Sequence, residues 1–252
     1  MYTYCMDIKF GEKRITNRAS WFRLMGVSES HLKKAETDEK MHAAIERLKA
    51  QMEEAETLLF DAAGPVFTYE IVGSGALQVT GTSLAKHLEG CERMVVMAVT
   101  LGDEVDRLIS ETQESRIALG VVIDSGASVM ADMAAGIAEE QIREEVAAKL
   151  PREIGVEAAE ETAAPLFLTE RFSPGYGDSP LEMQKQVLDL LDAENKLGIT
   201  LSKGYMMSPS KSITAIMGLA DHPVTGRLAT CDECVLKDKC RLRREGKRCG
   251  SA

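Results

Sequence analysis

Met94-Val95-Val96-Met97-Ala98-Val99-Thr100-Leu101 contains no charged residue, and Gly102-Asp103 follows it directly. A continuous apolar run of this length, bounded by turn residues, reads as a strand buried on both faces. The segment behind it, Glu104–Thr112, reads as a helix. Upstream, Val66-Phe67-Thr68-Tyr69-Glu70-Ile71 alternates and is rich in β-branched and aromatic residues, which predicts another strand. Gly73 and Gly75 suggest a turn into a further strand through Val79, and a short helix, Ser83–Glu89, follows with Thr82 as its N-cap.

Farther out, from Ser30, Ala35, Met41, Ile45, Leu48, Met52, Ala55 and Leu58 recur at helical steps until Ala63-Gly64-Pro65 stops the pattern. Residues 114–149 read as one or two long helices closed by Pro151. Their small-residue stripe between Gly126 and Gly136 suits close helix packing. A polar linker (152–164) leads to a loop at 171–180, then to a helix over 181–195 ended by Gly198, and to short strands at 199–201, 205–207 and 210–218. Helices and strands are segregated rather than strictly alternating. The fold class is therefore α+β, an antiparallel or mixed sheet with helices packed around it. The chain divides into an N-terminal segment with its long helix (1–60), an α+β core (61–225) and a cysteine-rich basic tail (226–252).

The 252 residues are 44% hydrophobic, enough for a substantial core, and carry a formal charge of −10. Such a balance repels nucleic acid and anionic lipid alike, so neither is an expected partner. The opening residues carry charges where a signal peptide needs an apolar run, and Asp124 and Asp132 interrupt the most apolar helix. The expected setting is the cytosol, with no membrane-spanning segment. The four histidines, His31, His42, His87 and His222, lie far apart and show no metal-pairing spacing.

Cysteines are crowded at the end of the chain: Cys231-x2-Cys234-x5-Cys240-x8-Cys249. In a reducing compartment this cluster points to a metal rather than to disulfides. Its spacing leaves a structural zinc and an iron–sulfur cluster both open, with a metal-free redox thiol cluster as a third reading. Lys237, Lys239, Arg241, Arg243, Arg244, Lys247 and Arg248 surround it, either as a solvated tail or as a docking surface for an acidic protein.

The loop Arg171-Phe172-Ser173-Pro174-Gly175-Tyr176-Gly177-Asp178-Ser179-Pro180 is the strongest candidate for binding chemistry. Arg171 offers a fork for a carboxylate, and Tyr176 offers a ring and a hydroxyl. On composition alone an ordinary structural turn, with Arg171 as a surface ion pair, is slightly favoured over a ligand clamp. The pattern Arg171-x-x-Pro174-Gly175-Tyr176-x-x-x-Pro180 resembles the Arg-x-x-x-Gly-Tyr-x-x-x-Pro signature of the reactivation domain of cobalamin-dependent methionine synthase, which binds S-adenosylmethionine (AdoMet). The likeness extends to Lys196-Leu197-Gly198-Ile199-Thr200-Leu201 and Met207-Ser208-Pro209-Ser210-Lys211-Ser212-Ile213-Thr214-Ala215. Arg23-Leu24-Met25-Gly26 and Val99-Thr100-Leu101-Gly102 resemble the family's earlier segments.

The resemblance implies that Arg171 takes the methionine carboxylate of AdoMet. It places the backbone of Ser173 and Gly175 against the ligand with Tyr176, and Asp132 as an upstream helical acid. It further implies a component of a methyltransferase system: a reactivation protein for a separate corrinoid protein or cobalamin-dependent methyltransferase, supporting reductive remethylation of cobalt(II). The chain is too short for the other modules of methionine synthase, so making methionine alone is not expected. Because that chemistry needs a low-potential electron, an iron–sulfur cluster on Cys231, Cys234, Cys240 and Cys249 is preferred over zinc, with a flavodoxin or ferredoxin as a further partner. The rival reading is a non-catalytic docking or chaperone module for a corrinoid protein, with a zinc-stapled tail.

Overall fold

The computed structural model describes residues 4–153, 166–224, 226 and 238–244. In chain order the elements are β1 (Tyr4–Asp7), α1 (Arg18–Leu24), α2 (Glu29–Lys34), α3 (Glu39–Ala62), β2 (Val66–Gly73), α4 (Thr82–His87), β3 (Arg93–Thr100) and α5 (Asp103–Ser115). They continue with α6 (Ile117–Glu153), β4 (Phe167–Leu168), α7 (Met183–Leu191), α8 (Ala193–Leu197), β5 (Thr200–Leu201), β6 (Met207–Ser208), β7 (Ser212–Ala220) and α9 (Arg241–Arg244). The main sheet runs β1-β2-β3-β7-β4, antiparallel throughout, and β5 and β6 form a separate hairpin.

The apolar run that predicted a strand buried on both faces is β3, at the centre of this sheet. Val95, Met97 and Val99 pack on one face with Ala215 and Met217 of β7, under α3, α5 and α6. Met94, Val96 and Ala98 pack on the other face with Ile216, under α4 and α7. Helices on both faces explain why the run is continuous rather than alternating. The α+β expectation holds.

Several local expectations need correction. The stretch after Gly73 is a turn, not a strand, and it tucks Leu77 into the second core. Residues 1–28 read in sequence as strand-like and turn-like pieces, but 18–24 form the helix α1, whose Asn17 side chain accepts from the Ser20 amide at 3.0 Å. The helical pattern from Ser30 is two helices, because Asp38 turns the chain and caps α3 through the Lys40 and Met41 amides. The helix over 181–195 is likewise two: Asp192 has φ +53°, a left-handed conformation that ends α7 before α8 begins. The helix α6 passes Pro151 by two residues.

The core of the first face is organised by α6. Its stretch Ile117–Ala147 is long and apolar enough to cross a membrane by length and composition. Here Leu119, Ile123, Ala127, Met130, Ala134, Ala138 and Ile142 are buried against α1, α3, α5 and the sheet. The small-residue stripe lets α1 settle closely. Trp21 is fully buried, donates through Nε1 to the Val122 carbonyl at 3.0 Å, and lies over Gly126. A Cβ at Gly126 would sit 2.4 Å from the indole ring. Gly126→Ala is therefore expected to lower stability by about 1–3 kcal/mol through overpacking. Urea unfolding followed by circular dichroism measures the loss, and Trp21, the single tryptophan, should shift its emission. An unchanged midpoint and spectrum would disprove the contact.

A cleft at the open edge of the sheet

The site begins where a strand pairing stops. Phe172 exchanges both backbone hydrogen bonds with Ile216 of β7, at 3.0 and 2.8 Å. The chain then peels away as the loop 173–180, leaving the first residues of β7 paired with β3 on one edge and without a strand on the other. A cavity of about 520 Å³ lies along this edge, within the size range of small-molecule sites. Its walls include Asp132 and Glu139 of α6, Arg171, Ser173 and Tyr176 of the loop, Gln184 of α7, and Ser212 to Thr214 of β7.

Arg171 reaches from the loop to α6. Its Nε donates to Glu139 Oε2 at 2.9 Å, and its NH2 donates to Asp132 Oδ1 at 3.1 Å. Glu139 is shared, because its Oε1 accepts from Arg143 at 2.7 Å. Arg143 in turn donates to the carbonyls of Leu168 and Thr169. Asp132, Glu139 and Arg143 are seven and four residues apart, which places them on one face of the helix. The acids differ in kind. Glu139 is held between two guanidinium groups with its side chain 19% exposed, whereas Asp132 is 69% exposed. Two of the five guanidinium N–H groups of Arg171 are used in these bonds, so both hydrogens of NH1 and one of NH2 remain for another acceptor among the described residues.

The loop itself is closed by short-range bonds. Tyr176 N–H donates to the Ser173 carbonyl, Ser179 N–H to that of Tyr176, and Gly175 N–H to that of Ser179. Gly175, at φ +91°, lies outside the cavity lining and serves the turn. The Ser173 hydroxyl donates to the Thr214 carbonyl at 2.8 Å. Tyr176, 58% exposed, stands at the rim with its ring edge-on to Phe172.

The far end of the loop is tied to α4. Asp178 accepts from the Thr82 amide (2.8 Å), the Thr82 hydroxyl (2.7 Å) and the Ser83 amide (2.8 Å). Thr82 is thus the first residue of α4 rather than its cap, and the capping carboxylate comes from a loop distant in sequence. Gly81, at φ +96°, permits the approach: a Cβ there would lie 2.8 Å from the Asp178 carbonyl oxygen. The amide of Ser83, with the hydroxyl and amide of Thr82, holds the Asp178 carboxyl far below the ordinary carboxylate range.

Arg171, Ser173, Tyr176 and Asp132, named from sequence, meet at the cleft. Glu139, Gln184 and Asp178 were not singled out. The Glu139–Arg143 spacing of four was visible as a helical ion pair, but nothing local marks Glu139 as a partner of Arg171. Of the tail cysteines, Cys240 is half-buried and precedes α9. Cys231, Cys234 and Cys249 lie outside the described residues, and no cluster of metal-binding side chains occurs among those described. His87 is buried, with Nε2 2.8 Å from the Glu170 carbonyl and 2.9 Å from the Thr169 hydroxyl.

An antiparallel sheet with helices on both faces and an arginine-lined cleft at its edge defines the chain as an α+β module. The model of the family described as vitamin B12 dependent methionine synthase, activation domain, matches residues 84–226, and the chain belongs to that family. Its fold is similar to that of a crystal structure of the MetH reactivation domain bound to AdoHcy. The TM-score is 0.57, at 16% identity over 98% of this chain and 86% of that one. No curated protein sequence matches the chain.

The Asp178 tether carries a pH signature. A carboxylate with a depressed folded pKa stabilises fully above its ordinary value, near 3.8, and the contribution is lost as pH falls below that towards the folded value. Wild-type protein should therefore exceed Asp178→Asn in stability by a constant margin at neutral pH. That margin should shrink below about pH 4, as read from urea unfolding at stepped pH. A margin independent of pH would refute the assignment.

Proposed function

We propose that the cleft binds AdoMet and its product AdoHcy, and that the protein serves the reductive remethylation of a cobalt(II) corrinoid carried by a partner protein. The observation that carries this reading is Arg171. Its guanidinium is oriented by Glu139, keeps an N–H fork unused, and faces a cavity of ligand size. A fork of this kind matches a carboxylate, and the exposed carboxylate of Asp132 beside it matches an α-ammonium group. The zwitterionic end of a methionine or homocysteine moiety supplies both. Membership of the activation-domain family and the AdoHcy-bound neighbour support the choice of ligand.

In this reading the protein's share is placement. The reaction adds one electron to the cobalt(II) corrinoid and moves the sulfonium methyl to cobalt, releasing AdoHcy. Arg171 and its acids fix the amino-acid end, and the tethered loop with Tyr176 fixes the rim. The tail cysteines Cys231, Cys234, Cys240 and Cys249 would hold an iron–sulfur cluster that relays the electron from a flavodoxin or ferredoxin in the cytosol, a role suited to thiolate ligands.

Arg171→Ala is expected to weaken AdoHcy binding by about 2–5 kcal/mol in calorimetry with the fold intact, since Glu139 retains Arg143. Unchanged affinity would remove the reading. Anaerobically purified protein should be brown and contain iron, and Cys234→Ser should bleach it without altering AdoHcy affinity. Colourless, zinc-bearing protein that ignores AdoHcy would favour a docking module instead. Incubation of the protein, AdoMet and a reductant with cobalt(II) corrinoid proteins, followed by corrinoid absorbance, tests the reaction.

A further inference from the structure

Arg143 does not line the cleft, yet every nitrogen of its guanidinium engages a group that fixes the wall behind it. Nε and NH2 donate to Glu139 Oε1 at 3.1 and 2.7 Å. NH1 donates to the Leu168 carbonyl at 3.1 Å, and NH2 also to the Thr169 carbonyl at 3.0 Å. Those carbonyls belong to the chain just before Arg171, where β4 closes against β7 and the Thr169 amide donates to Gly218. A planar fork can grip a carboxylate on one side and two carbonyls on another, which an ammonium point charge cannot. Arg143 thus ties α6 to the root of the loop through three acceptors at once.

Pinning Glu139 Oε1 leaves Oε2 for Arg171 Nε, 2.9 Å away. The outcome is a chain of alternating charge, Asp132, Arg171, Glu139 and Arg143, in which two cations balance two acids. Without Arg143, the Glu139 carboxylate would be free to turn. Its charge would also stand against any second carboxylate brought to Arg171, and like charges so placed repel. Resting on the AdoMet reading, we infer that Arg143 is a positioning residue for carboxylate recognition. It acts through Glu139, setting where the Arg171 fork points and cancelling the charge that would repel the ligand. Support of this kind from behind a site is what holds its contacts in productive geometry.

A double-mutant cycle read by AdoHcy calorimetry tests this. The second background is Glu139→Gln, whose carboxamide still accepts from Arg171 but carries no charge. Arg143→Met should weaken AdoHcy about tenfold in the wild-type background and less than about twofold in Glu139→Gln. An equal loss in both backgrounds, the mark of a loosened β4 root, overturns the role. So does an Arg143→Met protein that binds as wild type does, and either result leaves the AdoMet reading standing. Wild-type protein that ignores AdoHcy overturns that reading and the role with it. Side-chain NMR of the wild-type chain is independent of any folding defect in the variants. In the ligand-free protein the Nε–H groups of Arg143 and Arg171 should both exchange slowly with solvent, and rapid exchange at Arg143 counts against the role.

Discussion

The architecture turns on one interrupted pairing. Phe172 joins β7 opposite Ile216, and the next residues leave the sheet instead of extending it. Had the loop continued as a strand, the edge of β7 would be covered and no cleft would exist. A loop that leaves a strand edge needs other partners for its polar groups. Here they are found at three places: the Thr214 carbonyl for Ser173, α6 for Arg171, and the N-terminus of α4 for Asp178. Each attachment reaches a different element, so the loop is braced from both faces of the sheet.

The electrostatics of the cleft follow from that bracing. Glu139 faces two guanidinium groups, one anchored by backbone carbonyls and the other at the cavity. Sharing a largely buried carboxylate in this way avoids an isolated charge, which would be costly at such low exposure. It also orients Arg171 before any ligand arrives, and preorganised charge is what recognition of a carboxylate requires. Lys211 repeats the arrangement one step along α6, with Nζ 2.9 Å from Asp124 and 2.9 Å from Ser128. The polar face of this otherwise apolar helix is thus matched by cations from the sheet side.

Placement of the cleft between two helical layers gives it chemically unequal sides. The α6 side is charged and the α7 side is neutral, since Gln184 and Thr214, both buried, bond each other there. A ligand with a zwitterionic end and an uncharged heterocyclic end fits such a division.

The central strand, the amphipathic α3, the long α6 and the Arg171–Tyr176 loop were legible because each is written in local periodicity or turn chemistry. Breaks within helices were not, since Asp38 and Asp192 act through backbone conformations that many sequences tolerate. What the chain by itself determined is the set of elements, their apolar faces and the residue types on the loop, because burial pattern and glycine or proline positions act over a few residues. Only the tertiary structure decided that Glu139 rather than Asp132 alone steadies Arg171, that Asp178 caps a helix some ninety residues away, and that Gln184 faces the same cavity. These contacts join segments whose separation along the chain leaves no periodic trace, and they exist because the sheet edge brings α4, α6 and α7 to one place.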